Sequence, residues 1–203
     1  LNCANHIIDG NNSNANGVWS GEYHNVSIKN CIITDFKNGI RFDSDSGLIT
    51  NNILKSNTDN GIFLYISSYT NITNNIIDSP LFSNGIALAH FDSNNNIINN
   101  TINSSFDGIK LSFSNNNKII NNTLLMEFIN SATNEYGIGL SNSHNNILNG
   151  NNIFQYNIGI LVFSSNNTVT SNTLSAYVRG IKVYDISKNN VIYNNVFNNV
   201  NSP

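Results

Sequence analysis

A glycine followed by Val or Ile recurs through the whole chain, and that recurrence limits the fold more than any other feature. The pairs are Gly17-Val18, Gly39-Ile40, Gly61-Ile62, Gly85-Ile86, Gly108-Ile109, Gly137-Ile138, Gly159-Ile160 and Gly180-Ile181, spaced 22, 22, 24, 23, 29, 22 and 21 residues apart. Self-similarity at such a period marks a solenoid, in which each repeat buries its apolar face only against its neighbours. Downstream of most pairs lies an Ile-x-Asn-x-Ile run, as in Ile28-Lys29-Asn30-Cys31-Ile32. The coil after Gly137 is irregular, with Asn149 and Asn151 competing for one position.

Within each repeat the apolar residues alternate. Gly39-Ile40-Arg41-Phe42 puts Ile40 and Phe42 on one side and Arg41 on the other, which is the period of a strand. Strands this short cannot bury a face alone, but stacked copies can pair backbones above and below. The expected fold is all-β: a right-handed parallel β-helix of about nine coils over residues 1–203, one domain belonging to a longer chain or an assembly. Three inward columns follow. One runs from Ile40 to Ile181 and one from Phe42 to Val183. The third is Ile32, Ile53, Ile76, Ile102, Leu124, Ile153, Leu174 and Val196. The glycine of each pair is expected at a bend that needs positive φ or no side chain.

Asn makes up roughly a fifth to a quarter of the chain, against a usual few per cent. An inward ladder explains it, because an amide both donates and accepts and so can bond its counterpart one coil away. The expected rungs are Asn5, Asn30, Asn51, Asn74, Asn100, Asn122, Asn151, Asn172 and Asn194. Other Asn fall at turns, where Asn tolerates left-handed geometry.

The segments Leu1-Asn2-Cys3-Ala4-Asn5-His6-Ile7-Ile8-Asp9-Gly10 and Asn25-Val26-Ser27-Ile28-Lys29-Asn30-Cys31-Ile32-Ile33 resemble parallel β-helix repeats of the carbohydrate-binding and sugar-hydrolase type. Archaeal surface and adhesin-like proteins and bacterial periplasmic copper-site maturation proteins carry such repeats. The matching residues are structural ones, so the resemblance implies the fold over the whole chain and little about activity.

Charge narrows the partners. Nine Lys+Arg against twelve Asp+Glu give a net charge of −3, which offers no field for nucleic acid or an anionic membrane surface. No apolar run is long enough to span a membrane. Cys3 and Cys31 form no metal motif and say little about redox compartment. The expected cofactors and metals are none. His6, His24, His90 and His144 are scattered, and Met126 is the single methionine.

No catalytic set is assigned. Glycosidic chemistry needs carboxylates close together, and only Arg41 with Asp43 and Asp45 comes near that. The candidate glycan or partner face is Trp19, Arg41, Asp43, Phe63 and Tyr65, stacked on the outward side of the Gly-Ile strands, with Arg41 between aromatics as a cation–π ladder. Leu161, Phe163 and Tyr184 form a second aromatic patch. Insertions at Asp78–Asn84 and Leu125–Tyr136 are expected to carry recognition, with an apolar patch of Leu81, Phe82, Leu125, Met126, Phe128 and Ile129. Sequons at Asn11, Asn25, Asn71, Asn99, Asn103, Asn121 and Asn166 are no more than the composition supplies.

The expected function is a non-catalytic, extracellular, adhesin-like surface module that associates with copies of itself, other surface proteins or polysaccharide. A polysaccharide lyase or glycoside hydrolase, or a fragment of one, is the alternative.

Overall fold

The computed structural model describes residues 1–44, 46–78, 83–104, 106–126 and 135–199. Among them are 25 strands and no helix. The strands form three parallel sheets of nine, eight and eight members, and every third strand along the chain joins the same sheet. This is a parallel β-solenoid of eight complete coils and one further strand, close to the nine expected.

The first sheet runs from Ile7–Asp9 to Val196–Phe197, the second from Asn16–Gly21 to Arg179–Val183, and the third from Val26–Lys29 to Val191–Tyr193. The second contains the Gly-Ile strands and is called the Gly-Ile sheet below. Its register pairs each Ile with the next: Ile40 with Ile62, Ile62 with Ile86, Ile86 with Ile109. The columns expected from Ile40 and Phe42 are buried through most of their length. At the far end Ile181 is half-buried and Val183 is 40% exposed.

The third expected column is displaced by one residue in the early coils. Ile32 and Ile53 are half-buried and Ile76 is 49% exposed, while Ile33, Leu54 and Ile77 are buried beside Ile102, Leu124, Ile153 and Leu174. Val196 is likewise exposed.

The ladder carries the same displacement. Its buried rungs are Asn52, Asn75, Asn100, Asn122, Asn151 and Asn172. Each Nδ2 donates to the Oδ1 of the next rung, from Asn52 to Asn75 at 3.0 Å and onward to Asn195 at 2.9 Å. The amides also satisfy backbone carbonyls, as Asn122 does for Ile97 at 2.9 Å. Asn100, Asn122, Asn151 and Asn172 stand where expected. Asn5, Asn30, Asn51, Asn74 and Asn194 do not: all five take positive φ, between 54° and 65°. In a doublet such as Asn51-Asn52 the first residue makes the left-handed turn and the second points inward. Both jobs suit Asn, so composition cannot separate them.

Two further Asn stacks were not expected. One is Asn95, Asn117, Asn146, Asn167 and Asn190 at the corner after the Gly-Ile sheet, where each Oδ1 accepts a backbone N–H from the preceding coil. The other, Asn16, Asn38, Asn60 and Asn84, opens the Gly-Ile strands, with amide-to-amide bonds of 2.8–2.9 Å.

The recurring glycine serves close packing, not positive φ. A Cβ on Gly85 would lie 2.2 Å from Ile102 Cγ2 and 2.6 Å from the Gly108 carbonyl oxygen. Cys3 and Cys31 form a disulfide, which the sequence reading did not anticipate. Cys31 occupies the ladder slot below Asn52.

Asp45, Glu127 and the insertion residues Leu81, Phe82, Phe128 and Ile129 lie outside the described residues. Of that expected patch, Leu125 is half-buried and Met126 is fully buried. No helix among the described residues is long and apolar enough to cross a membrane.

Candidate functional site

The outward side of the Gly-Ile sheet presents two neighbouring columns of side chains. The first is Trp19, Arg41, Phe63, Ala87, Lys110, Gly139, Leu161 and Lys182. The second, two residues along, runs through Asp43, Tyr65, Ala89, Ser112, Ser141 and Phe163. These positions are outward because they alternate with buried Ile and Leu.

The structure brings Trp19, Arg41, Asp43, Phe63 and Tyr65 together as expected. Trp19 Nε1 donates to Asp43 Oδ2 at 2.8 Å. Arg41 Nε donates to Asp43 Oδ1 at 2.8 Å and to Oδ2 at 3.0 Å. The Arg41 guanidinium carbon lies 5.4 Å from the centroid of Phe63. The Phe63 and Tyr65 rings are 6.4 Å apart, and Tyr65 lies 5.1 Å from the ring of His90, which the sequence reading left isolated. Trp19, Glu22, Arg41, Asp43 and Tyr65 line a shallow hollow of about 420 Å³. Trp19, Arg41 and Asp43 thus bond one another, with the Phe63 and Tyr65 rings beside them.

The second patch becomes part of a larger site. Leu161, Phe163 and Tyr184 line a hollow of about 440 Å³ with Asp107, Lys110 and Tyr136. Phe163 meets Tyr184 edge-on, with centroids 5.0 Å apart and planes at 89°. Asp107 is 2% exposed. Its Oδ1 accepts the Tyr136 backbone N–H at 3.1 Å, and its Oδ2 stands 3.7 Å from Lys110 Nζ. Burial raises its pKa to about 6, opposed by Lys110 and assisted by Glu135. Glu135 is buried on the next coil and bonds Asn157; burial raises its pKa too.

Asp107 stands two residues ahead of Ile109, the slot that Asn38, Asn60 and Asn84 fill in earlier coils. In that stack the later amide donates to the earlier oxygen. A carboxylate cannot donate, and Asn84 Oδ1 is buried without a partner. Protonated Asp107 has a hydrogen to offer from that slot, which agrees with its raised pKa. The sequence did carry this signal: an acid in the position that Asn holds in the four preceding coils. The acids are scattered along the chain, and only the coil brings Asp107, Lys110 and Tyr136 together across one turn.

The small residues Ala87, Ala89, Ser112, Ser141 and Gly139 leave the sheet low between and beside the two hollows. An extended ligand can lie there, along the solenoid axis. Rings on either side suit the apolar faces of sugars.

The fold has counterparts in known proteins. The model of the family described as periplasmic copper-binding protein (NosD) matches residues 1–130, 80–175 and 127–202. No curated protein matches the chain. Among solved structures, a double mutant of the periplasmic alginate epimerase AlgG superposes with a TM-score of 0.72 at 19% identity, over 90% of this chain and 48% of that one. The unmutated AlgG gives 0.67 at 18% identity, covering 90% and 47%. A mutant DFA-IIIase from Arthrobacter chlorophenolicus A6, in complex with DFA-III, gives 0.58 at 13% identity, covering 86% and 44%. The chain thus spans about half the length of these structures, and at such identities they share its fold.

A copper ion does not fit the donors on hand. Among the described residues no three His, Cys, Asp or Glu side chains gather where they could hold a metal. Both cysteines are closed in the disulfide and Met126 is fully buried. Copper sites draw on imidazole, thiolate and thioether donors brought together.

Proposed function

This chain belongs to the NosD family of periplasmic copper-binding proteins, and on that premise we propose a carbohydrate-directed role, since the family's metal finds no fitting donors among the described residues. The chain binds a polysaccharide along the outward face of the Gly-Ile sheet and acts on one sugar unit in the hollow at Asp107. The observation that carries this reading is Asp107 itself, a buried carboxyl with a pKa near 6, beside Lys110 and walled by aromatic rings. A carboxyl whose pKa is raised to about 6 is a competent general acid in mildly acidic solution. Hydrolysis and β-elimination both need a proton delivered to the departing glycosidic oxygen, and Asp107 would deliver it. Lys110 would stand against negative charge on the sugar.

The saccharide enzymes AlgG and DFA-IIIase, named for alginate and DFA-III, share this solenoid and support the reading by analogy of fold. The disulfide supports a location outside the reducing cytoplasm, in keeping with the periplasmic family and with AlgG.

The test is turnover of a panel of acidic and neutral polysaccharides, read as new reducing ends, unsaturated product and change of sugar epimer. Asp107→Asn is expected to lower turnover at least a hundredfold while leaving binding intact. It should also remove the loss of rate above about pH 6. Binding without any turnover would instead establish the non-catalytic glycan-binding or adhesin-like module. No binding to any polysaccharide would end the carbohydrate reading.

A further inference from the structure

The first outward column carries a pattern that the hollows alone do not explain. Its cations are Arg41, Lys110 and Lys182, and the register sets them three coils apart each time: Arg41, Phe63, Ala87, Lys110, then Gly139, Leu161, Lys182. Each lies against an aromatic ring. Arg41 is 5.4 Å from the Phe63 centroid, Lys110 Nζ is 5.9 Å from that of Phe106, and Lys182 Nζ is 4.5 Å from that of Tyr184. No acid stands in that column. The whole chain has only nine Lys+Arg and a net charge of −3, so three cations in one column of eight positions run against the overall balance.

We propose that Arg41/Phe63, Lys110/Phe106 and Lys182/Tyr184 are three cation-and-ring stations for an acidic polysaccharide laid parallel to the solenoid axis, engaging every third sugar unit. This rests on the reading that the outward face carries the polysaccharide, and it adds the ligand's charge and its register. Three coils rise about 14 Å, and a pyranose unit is about as long as one coil is tall. A chain following the axis therefore brings an equivalent unit to each station after three units. At a station the ring takes the apolar face of the sugar and the cation takes its acid group. Asp43 bonds Arg41 through Nε and Asp107 stands 3.7 Å from Lys110 Nζ, so at those two stations the acid group of the sugar competes with a carboxylate for the cation, whereas Lys182 bonds a Tyr184 hydroxyl, not a carboxylate. The residues between stations, Ala87, Gly139 and Leu161, offer no charge.

The experiment is calorimetric titration of the native chain with uronic-acid oligomers, from dimers to nonamers, and with the same oligomers after reduction of their carboxyls. Linked stations act through effective concentration. Affinity is expected to rise by roughly tenfold or more at the tetramer, which first spans two stations, and again at the heptamer, which first spans three. Lys182→Gln should erase the second rise and keep the first, and the carboxyl-reduced oligomers should show neither. Binding that grows smoothly with length, or equally for reduced oligomers, overturns the three stations and leaves the carbohydrate face standing. Failure of every acidic and neutral saccharide to bind overturns both.

Discussion

The backbone N–H of Cys31 donates to Asn52 Oδ1 at 3.0 Å, so a half-cystine stands in the slot that Asn fills in the later coils. Its sulfur is bonded to that of Cys3 in the first coil. The amide ladder thus ends in a covalent rung. The crosslink closes a span of 28 residues, and by loop closure such a bond contributes roughly 2–4 kcal/mol. Reduction, or the Cys3→Ser/Cys31→Ser double change, should lower the denaturation midpoint accordingly. Hydrogen exchange should show the new fraying confined to the first coil.

The ladder and its left-handed neighbours should separate under mutation. Asn122→Leu strands the Asn100 N–H and the Ile97 carbonyl, both buried, and should cost about 3 kcal/mol or more in chemical denaturation. Asn121→Ala removes an exposed residue at φ 55° and should cost about 1 kcal/mol, the price of left-handed backbone without Asn. Equal losses at the two positions would mean the rungs are misassigned.

Asp92 should make the fold less stable as pH rises. It lies fully buried in a column otherwise made of serines, including Ser67, Ser114 and Ser143, where Ser114 N–H bonds Ser143 Oγ as Ser67 N–H bonds Asp92. Its Oδ2 has no partner, and burial raises its pKa to about 7, with Asp43 adding to the effect. The folded state then holds a proton that the unfolded chain releases near its ordinary pKa of 3.8. Stability is full below about pH 4 and declines as pH climbs toward 7, by a few kcal/mol. Asp92→Ser should flatten that slope and stabilise the protein at pH 8, measured as thermal midpoints across pH.

Gly85→Ala should be among the most damaging single-methyl additions. Both the Ile102 side chain and the Gly108 carbonyl lie within 2.6 Å of the added carbon, and the facing coil has nowhere to retreat. About 3 kcal/mol is expected, seen as a lower midpoint or loss of soluble protein. Gly139→Ala, whose added carbon meets only Tyr136 at 3.4 Å, should be nearly neutral.

Much of this was legible in the chain alone. The Gly-Ile spacing specified a solenoid, the alternation around Arg41 specified strands, and the columns from Ile40 and Phe42 located the core. The same alternation placed Trp19, Arg41, Asp43, Phe63 and Tyr65 on one outward face. The site at Asp107 was not legible as a site. Asp107, Lys110 and Tyr136 come from neighbouring coils, Phe163 and Tyr184 from later ones, and only stacking converts those separations into contact.

The sequence by itself determined the repeat, the strand period, the need for an inward amide ladder and the face on which aromatic and charged residues collect. Tertiary structure decided which member of each Asn doublet faces inward, that Cys3 and Cys31 meet, and that a lone acid shares a hollow with a lysine and four rings. The reason is geometric. A strand repeats every two residues, so a shift of one exchanges inside for outside with no change in composition. Only the pairing of one coil with the next fixes that shift.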